Sequence, residues 1–299
     1  MCPVEAPPPV SIEVRLDSLR LRVLEWRGAT SRGAYLLLHG LASNARFWEP
    51  VAARLAAAGY SVWAPDLRGH GQSDKPDDGY DFATLSSDVV RLAEALGLGL
   101  FVLGGHSWGG MIALDVATRH DLAGIALVDG GIAQVDDYPD ATWERTEQAL
   151  TPPRLAGTPL SAFRERLAAA HPDWPADVPW QEIVLANFEV RSDGTIAPHL
   201  TFERHMRVVR AIWEYRTYDA FDRVRCPVLM VAAQRQGELR PPERAYLDLK
   251  RRGEAQARRR VRDLEFVWMD DTDHDIPLHR PHELADVLVR FAERVMPSR

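Results

Sequence analysis

Cysteine is scarce in this chain of 299 residues. Only Cys2 and Cys226 occur, the first in a proline-rich stretch and the second at the start of a predicted strand. Two thiols placed in this way do not resemble the framework of paired cysteines that small secreted domains use. We therefore expect no structural disulfide.

Long apolar runs are absent as well. No window of the sequence has the length and apolar character of a membrane span, so we expect no membrane partner. Residues 1–10, MCPVEAPPPV, lack the basic start and the continuous apolar run of a secretory signal. We interpret them as a proline-rich tail and expect the protein to be cytoplasmic.

Positive charge is in the minority. The chain has 36 Lys and Arg against 43 Asp and Glu, a formal net charge of -7, which argues against nucleic acid as a partner. Lysine occurs only at Lys75 and Lys250. The arginine-rich run from Lys250 to Arg262 is a local exception, and its interleaved Glu254 favours a solvated helix over a phosphate site.

Short apolar runs alternate with helical patterns through most of the chain. Residues 11–27 alternate apolar and polar side chains around Asp17-Ser18, which predicts an antiparallel hairpin at a sheet edge. Continuous apolar runs, typical of strands buried on both faces, lie at 34–38, 61–65, 101–103, 122–128, 226–233 and 262–269. The helical patterns between them predict βαβ units and a mainly parallel sheet.

This alternation stops between about residues 132 and 223. The stretch is helical in pattern but broken by prolines, and four tryptophans are spread through it: Trp143, Trp174, Trp180 and Trp213. The strand pattern resumes at Cys226. We interpret residues 132–223 as an inserted helical cap, and residues 11–131 together with 224–299 as one α/β core.

The most informative stretch is FVLGGHSWGGM, residues 101–111. An apolar strand leads into a G-x-S-x-G pattern centred on Ser107, and a helical pattern follows at once. In such an elbow the serine occupies a sharp, strained turn, and Gly105 and Gly109 are needed because side chains there would collide with neighbouring backbone. The pattern predicts that Ser107 is exposed at the carboxyl edge of the sheet as a nucleophile.

A serine hydroxyl needs a positioned base, and His274 is the best placed of ten histidines. It follows the last predicted strand, in a loop expected at the same sheet edge as Ser107. With His279, His282 and nearby aspartates it could imitate a metal site, but no recognisable ligand spacing is present. We expect neither a metal nor any other cofactor.

Together these motifs resemble the α/β-hydrolase family across essentially the whole chain. The resemblance rests on His39-Gly40, the Asp66-x-Arg68-Gly69-x-Gly71-x-Ser73 loop, the elbow, and His274 followed by Pro281. It implies an eight-stranded, mainly parallel sheet with helices on both faces and an inserted helical cap. It also implies an oxyanion hole built from the backbone N–H groups of Leu41 and Trp108. The loop from Asp66 to Ser73 is expected to be structural.

The acid of the catalytic triad is where the sequence departs from the commonest family pattern. After the strand at Pro227–Ala233 most relatives have Gly-x-x-Asp, whereas here Glu238 is the nearest carboxylate. Some relatives take the acid from the end of the preceding strand, which here is Asp129. We favour Asp129 over Glu238 because a strand end is more rigid than a loop.

A serine nucleophile limits the chemistry. Epoxide hydrolases and haloalkane dehalogenases of this family use an aspartate, because a serine attacking saturated carbon would leave a stable ether. We expect hydrolysis of carboxylic esters or lactones through an acyl-enzyme on Ser107. The cap tryptophans favour a small to medium apolar or aromatic substrate.

Three alternatives remain at this point. The same residues could cleave carbon–carbon bonds, or serve a cofactor-free perhydrolase or haloperoxidase. A slow or non-catalytic ligand-binding receptor is a third. The expected partner is a small ester-like molecule, and the chain is expected to be a monomer or a homodimer.

Overall fold

The computed structural model describes residues 8–28, 30 and 32–296, which form eleven strands and eleven α-helices. The strands are β1 (Val10–Leu16), β2 (Leu19–Trp26), β3 (Ala34–Leu38), β4 (Ser61–Pro65), β5 (Val102–His106), β6 (Gly124–Val128), β7 (Thr158–Pro159), β8 (Phe188–Val190), β9 (Thr195–Pro198), β10 (Val228–Gln234) and β11 (Leu264–Asp270). The helices are α1 (Glu49–Ala57), α2 (Phe82–Ala95), α3 (Trp108–Ala117), α4 (Trp143–Leu150), α5 (Leu160–Ala170), α6 (Trp180–Leu185), α7 (Phe202–Glu214), α8 (Thr217–Phe221), α9 (Pro241–Arg260), α10 (Ile276–His279) and α11 (Pro281–Val295).

Eight of the strands form one sheet in the order β1-β2-β4-β3-β5-β6-β10-β11. β1 pairs antiparallel with β2, and β2 pairs antiparallel with β4. The remaining neighbours are parallel. The predicted eight-stranded, mainly parallel sheet and its antiparallel hairpin edge are therefore confirmed. Most of the predicted tail 1–10 lies outside the described residues, and β1 already begins at Val10.

Apolar side chains cover both faces of the sheet, which is why its central strands are continuous apolar runs. One face packs against α2, α3 and α8, and the other packs against α1 and α11. The helical segment after β3 is in two parts: a 3₁₀ turn at Ala45–Trp48, and α1 from Glu49 with Pro50 in its first turn. None of the helices in the described ranges has the length and apolar composition that a bilayer crossing requires.

The segment between β6 and β10 contains more than the helices that its sequence predicts. Besides α4 to α8 it includes a three-stranded antiparallel sheet in the order β7-β9-β8. These strands are only two to four residues long, too short for a period of two to be visible in the sequence. The Asp193-Gly194 pair between β8 and β9 was the available signal, since such pairs are typical of hairpin turns.

Candidate active site

Ser107 stands on the corner between β5 and α3. Its backbone has φ 52° and ψ -120°, a strained combination for a residue other than glycine. The neighbouring glycines permit this corner: a methyl group on Gly105 would lie 2.2 Å from the Gly109 carbonyl oxygen, and one on Gly109 would lie 2.5 Å from that of His39. The predicted strand-to-helix elbow is therefore present, with the serine at the carboxyl end of its strand.

Asp129 and His274 meet next to this corner. Asp129 directly follows β6, the sheet neighbour of β5, and His274 lies in the loop after β11. The Nδ1 atom of His274 is 2.7 Å from Oδ2 of Asp129. An ionised carboxylate can only accept, so Nδ1 carries the ring proton and Nε2 is left as a base. The two residues, 145 positions apart in sequence, form a hydrogen-bonded acid–histidine pair.

The charges of this pair support each other. Burial alone would raise the pKa of Asp129, but the hydrogen bond from His274 and the nearby positive charge of Lys250 hold it below its usual range. Burial alone would lower the pKa of His274, but the hydrogen bond to Asp129 and the negative charge of Asp129 raise it above its usual range. Asp129 is therefore ionised near neutral pH.

His106, which precedes the nucleophile, joins the elbow to the histidine loop. Its Nε2 is 2.9 Å from the backbone carbonyl oxygen of His274, and the two rings are in contact with centroids 4.6 Å apart and planes at 49°. Burial lowers the pKa of His106 to about 3, so its ring is neutral and Nε2–H donates to that carbonyl. The residue thereby fixes the backbone of His274 relative to Ser107.

One cavity of about 650 Å³ is lined by Ser107, Asp129 and His274 together. Its remaining surface is mainly apolar, from side chains of both the core and the β6–β10 segment: Met111, Leu249, Tyr246, Tyr138, Leu150 and Ile212. Two cations also line it within the described residues, Arg145 and Lys250. Each faces a carboxylate: Arg145 lies 3.4 Å from Asp140, and Lys250 lies 3.0 Å from Asp129.

The four tryptophans of the β6–β10 segment do not line this cavity. Trp143 packs against Trp213, with ring centroids 6.5 Å apart, and Trp174 packs against Trp180 at 5.2 Å. The tryptophans therefore do not themselves support the expected apolar or aromatic substrate, because they pack against each other. The apolar character of the cavity comes from other residues of the segment and from α3 and α9.

Leu41 and Trp108, the predicted oxyanion donors, belong to segments next to Ser107. A methyl group on Gly40 would lie 3.2 Å from Cβ of Ser107, so the loop that carries Leu41 passes directly beside the nucleophile. Among the described residues, no backbone acceptor bonds the N–H groups of Leu41 and Trp108 outside helices and strands. Their role as oxyanion donors stays a prediction. The Trp108 side chain is buried and lines both the core and the cavity.

The loop from Asp66 to Ser73 has scaffold contacts. Asp66 accepts from Arg22 and from the backbone N–H groups of Ala45 and Gln72. The ring nitrogens of His39 and His70 accept the backbone N–H groups of Leu67 and Ala42. Burial lowers the pKa of these histidines to about 4 and about 3, which keeps both rings neutral.

Glu238, the alternative acid, is exposed in the loop between β10 and α9. It is not among the residues that line the cavity, and His274 is hydrogen-bonded to Asp129 instead. The other two histidines of the C-terminal cluster also have separate partners: His279 contacts Thr272, and His282 lies 3.5 Å from Asp177. No group of three or more metal-ligating side chains converges in the described part of the chain.

Lys250 is the site residue that sequence reasoning missed. The prediction of a solvated helix was wrong for this position, because only 5% of Lys250 is exposed. The missed signal was helical spacing: Leu249, Lys250, Gly253 and Ala257 form the buried face of α9. A lysine on a buried face needs a charged or hydrogen-bonding partner inside the protein, and here that partner is Asp129.

Comparison with known proteins identifies the family of the chain. A family model described as the alpha/beta hydrolase family matches residues 35–287. The chain therefore belongs to the alpha/beta hydrolase family. The predicted fold and the predicted family are both confirmed.

Individual relatives match only part of the chain or share little sequence identity with it. Epoxide hydrolase A of Mycobacterium tuberculosis is 36% identical over 109 residues, which is 36% of this chain and 34% of the relative. The 2-(acetamidomethylene)succinate hydrolase of Mesorhizobium japonicum is 33% identical over 170 residues, 56% of this chain and 58% of the relative. A crystal structure of E-2-(acetamidomethylene)succinate hydrolase superposes with a TM-score of 0.73 at 23% identity, covering 95% of this chain and 99% of that one. The chain spans about a third of the length of the first of these relatives, so the relatives indicate a hydrolase without identifying its substrate.

Proposed function

We propose that this protein is a serine hydrolase that cleaves carboxylic esters or lactones through an acyl-enzyme on Ser107. The observation that carries the proposal is the position of three groups on one cavity: a hydroxyl on a strained corner, the His274 ring, and the ionised Asp129 bonded to that ring. Relatives with hydrolase names support the broader statement that the protein is a hydrolase.

The mechanism follows from the protonation states. Nε2 of His274 removes the proton of Ser107 as Oγ attacks the substrate carbonyl carbon, and Asp129 stabilises the imidazolium that forms. The N–H groups of Leu41 and Trp108 bind the oxyanion. His274 then gives its proton to the departing alcohol, the carbon–oxygen bond breaks, and an acyl-enzyme remains. Water, activated by the same ring, attacks the acyl carbon and releases the acid.

The identity of the nucleophile separates this protein from the epoxide hydrolases among its relatives. An ester formed on an aspartate can be hydrolysed, but an ether formed on Ser107 cannot be opened by the same residues. Acyl carbon is therefore the target that allows Ser107 to be regenerated.

The cavity supports an uncharged, apolar or aromatic substrate. A succinate derivative, as in the name of one relative, has carboxylates that need cationic partners. Of the two cations on this cavity, Lys250 is buried and bound to Asp129, and Arg145 is a mostly exposed side chain 3.4 Å from Asp140, so neither offers a buried site for a substrate carboxylate. Apolar lining such as Met111 and Ile212 instead suits an alkyl or aryl group.

We further propose that residues 132–223 form a cap over a core made of 11–131 and 224–299. Tyr138, Leu150 and Ile212 of this segment line the cavity. The segment also contacts the histidine loop directly, because Nε1 of Trp174 donates to Asp273 at 2.8 Å. This arrangement supports a role in covering the substrate.

A panel of p-nitrophenyl esters of increasing chain length, with lactones and one ring-fission diketone, tests the reaction class. We expect ester or lactone hydrolysis that is abolished in Ser107→Ala. Preferential turnover of the diketone, or turnover that requires peroxide, would replace the proposal with carbon–carbon hydrolysis or perhydrolysis. No turnover of any compound would favour a binding protein.

A further inference from the structure

Lys250 lies beneath the acid–histidine pair, in an environment unusual for lysine. Its Nζ donates to Oδ1 of Asp129 at 3.0 Å and also to the backbone carbonyl of Ala233. The ring centroid of Tyr246, one helical turn earlier on α9, is 4.7 Å from Nζ. Removing an ammonium group from water is costly, so a lysine retained here needs close compensation from these groups.

The contacts of Lys250 leave little for a substrate. An ammonium group has three N–H bonds. Two of them are used by Asp129 and Ala233, and the Tyr246 ring lies within cation–π distance. Although Lys250 lines the cavity, its hydrogen bonds are directed at the protein.

The two oxygens of Asp129 consequently have separate partners. Oδ1 accepts the backbone N–H of Ala233 at 2.9 Å and the ammonium of Lys250, whereas Oδ2 accepts His274. Two donors on Oδ1 prevent the carboxylate from rotating about its Cβ–Cγ bond. Oδ2 is thereby held toward the histidine ring.

We propose that Lys250 is a positioning residue, which orients the Asp129 carboxylate and offsets its negative charge so that His274 remains an effective base near neutral pH. The inference rests on the proposed catalytic role of Ser107, Asp129 and His274. It adds a residue outside the triad, which acts through the position of the Asp129 carboxylate and through its own positive charge.

The charges around His274 give the direction of the effect. Asp129 at the end of β6 and Asp275 in the histidine loop favour the imidazolium, whereas Lys250 on α9 disfavours it. The other groups facing the ring are Tyr246 on α9 and His106 on β5, whose ring is neutral. Removing the lysine therefore removes a positive charge that opposes the effect of these two carboxylates on the His274 ring. More of the His274 population is then protonated at a given pH.

The test is the pH dependence of kcat/KM for a p-nitrophenyl ester in Lys250→Met, with Lys250→Gln as a second neutral variant that keeps a donor for Asp129. In both variants we expect the acidic limb of the kcat/KM profile to move to higher pH by about one unit. The high-pH plateau should fall about tenfold in the Met variant and less in the Gln variant. Lys75→Met is the matched control, because Lys75 binds backbone carbonyls of Gly71 and Ser73 instead, and its limb should coincide with that of the wild type.

A folded neutral variant of Lys250 with the wild-type limb and plateau would overturn the inference. Adding Lys250→Met to Asp129→Asn provides a second check, because this pair leaves no unpaired buried charge and favours folding. The plateau should then match that of Asp129→Asn alone, because the carboxylate that Lys250 orients is absent, and a further fall of the plateau by about tenfold would contradict the positioning role. The wild type and Ser107→Ala are measured first. Activity independent of Ser107 contradicts the proposed function itself, whereas Ser107-dependent activity with an unmoved limb contradicts only the role of Lys250.

Discussion

Two buried aspartates of this protein follow strands of the same sheet. Each is bound by a buried cation and by backbone N–H groups, but only Asp129 also binds a histidine ring. Asp66 follows β4 and is bound by the buried Arg22 and two backbone N–H groups. Asp129 follows β6 and is bound by the buried Lys250, one backbone N–H group and His274. The partners of Asp66 do not change protonation state near neutral pH. One partner of Asp129 is an imidazole ring that can gain or lose a proton at Nε2.

Burial and pairing alone therefore do not identify a catalytic carboxylate. Asp66 connects β2, β4 and the loop at Ala45, so its charge is used to hold the scaffold together. Asp129 contacts a ring whose side chain is 41% exposed and lines the cavity with Ser107. The distinguishing feature is a titratable neighbour that reaches the cavity.

The largest predicted effect is on catalysis at Asp129. Asp129→Asn should lower kcat by about 10³- to 10⁴-fold, because an amide favours the wrong tautomer of His274 and cannot stabilise its charged form. Steady-state ester hydrolysis measures this loss, with circular dichroism to verify folding. A folded variant with near-normal kcat would remove the distinction between the two aspartates.

The corresponding change at Asp66 should affect stability. Asp66→Asn leaves the buried Arg22 without its charge partner and should reduce the free energy of unfolding by about 3 kcal/mol, measured by urea denaturation. The kcat of the folded fraction should change less than about tenfold. A selective loss of kcat with unchanged stability would place Asp66 in the catalytic machinery.

The histidines around the two aspartates should separate activity from stability as the pH falls. The pKa of His274 is raised, so kcat/KM should decline first, as the ring becomes protonated above the ordinary value near 6.5. The folded pKa values of His39 and His70 are lowered to about 4 and about 3, so the unfolded chain binds more protons below pH 6.5. Their contribution to stability is therefore lost as the pH falls from about 6.5 toward 4.

The His274 contribution to stability has the opposite sign. A raised folded pKa stabilises the protein at low pH, and this contribution is lost as the pH rises through that pKa. Parallel pH series of kcat/KM and of urea midpoints measure both effects. A stability loss that precedes the activity loss would contradict the assignment of these histidines.

The smallest predicted effect belongs to Glu238. Because this residue is exposed and does not line the cavity, Glu238→Gln should change kcat less than about twofold. It is the matched control for Asp129→Asn, since both changes replace a carboxylate by its amide. A loss of activity only in the Glu238 variant would transfer the role of the acid to that loop.

The sequence was sufficient for features encoded by short, regular signals. Continuous apolar runs located the buried strands, and glycine spacing located the elbow at Ser107 because only glycine fits beside that backbone. Asp129 could be identified as a candidate because it ends a strand. Its 2.7 Å contact with His274, 145 residues away in sequence, depends on strand order in the sheet.

Features that depend on packing between distant elements were not predictable in this way. Lys250 belongs to an arginine-rich run, and although helical spacing places it on the buried face of α9, its contact with Asp129 depends on how α9 packs against the sheet. The tryptophans between β6 and β10 gave a misleading signal, since aromatic residues stack with each other as readily as with a substrate. The sheet formed by β7, β9 and β8 was missed because its strands are shorter than a detectable period.

Covalent labelling tests whether Ser107 is a nucleophile activated by His274. The protein is treated with a fluorophosphonate probe, and the modified peptide is identified by mass spectrometry. One adduct per chain on Ser107, formed much more slowly in Asp129→Asn, is the predicted result. An adduct on another residue, or none on the folded wild-type protein, would contradict the account.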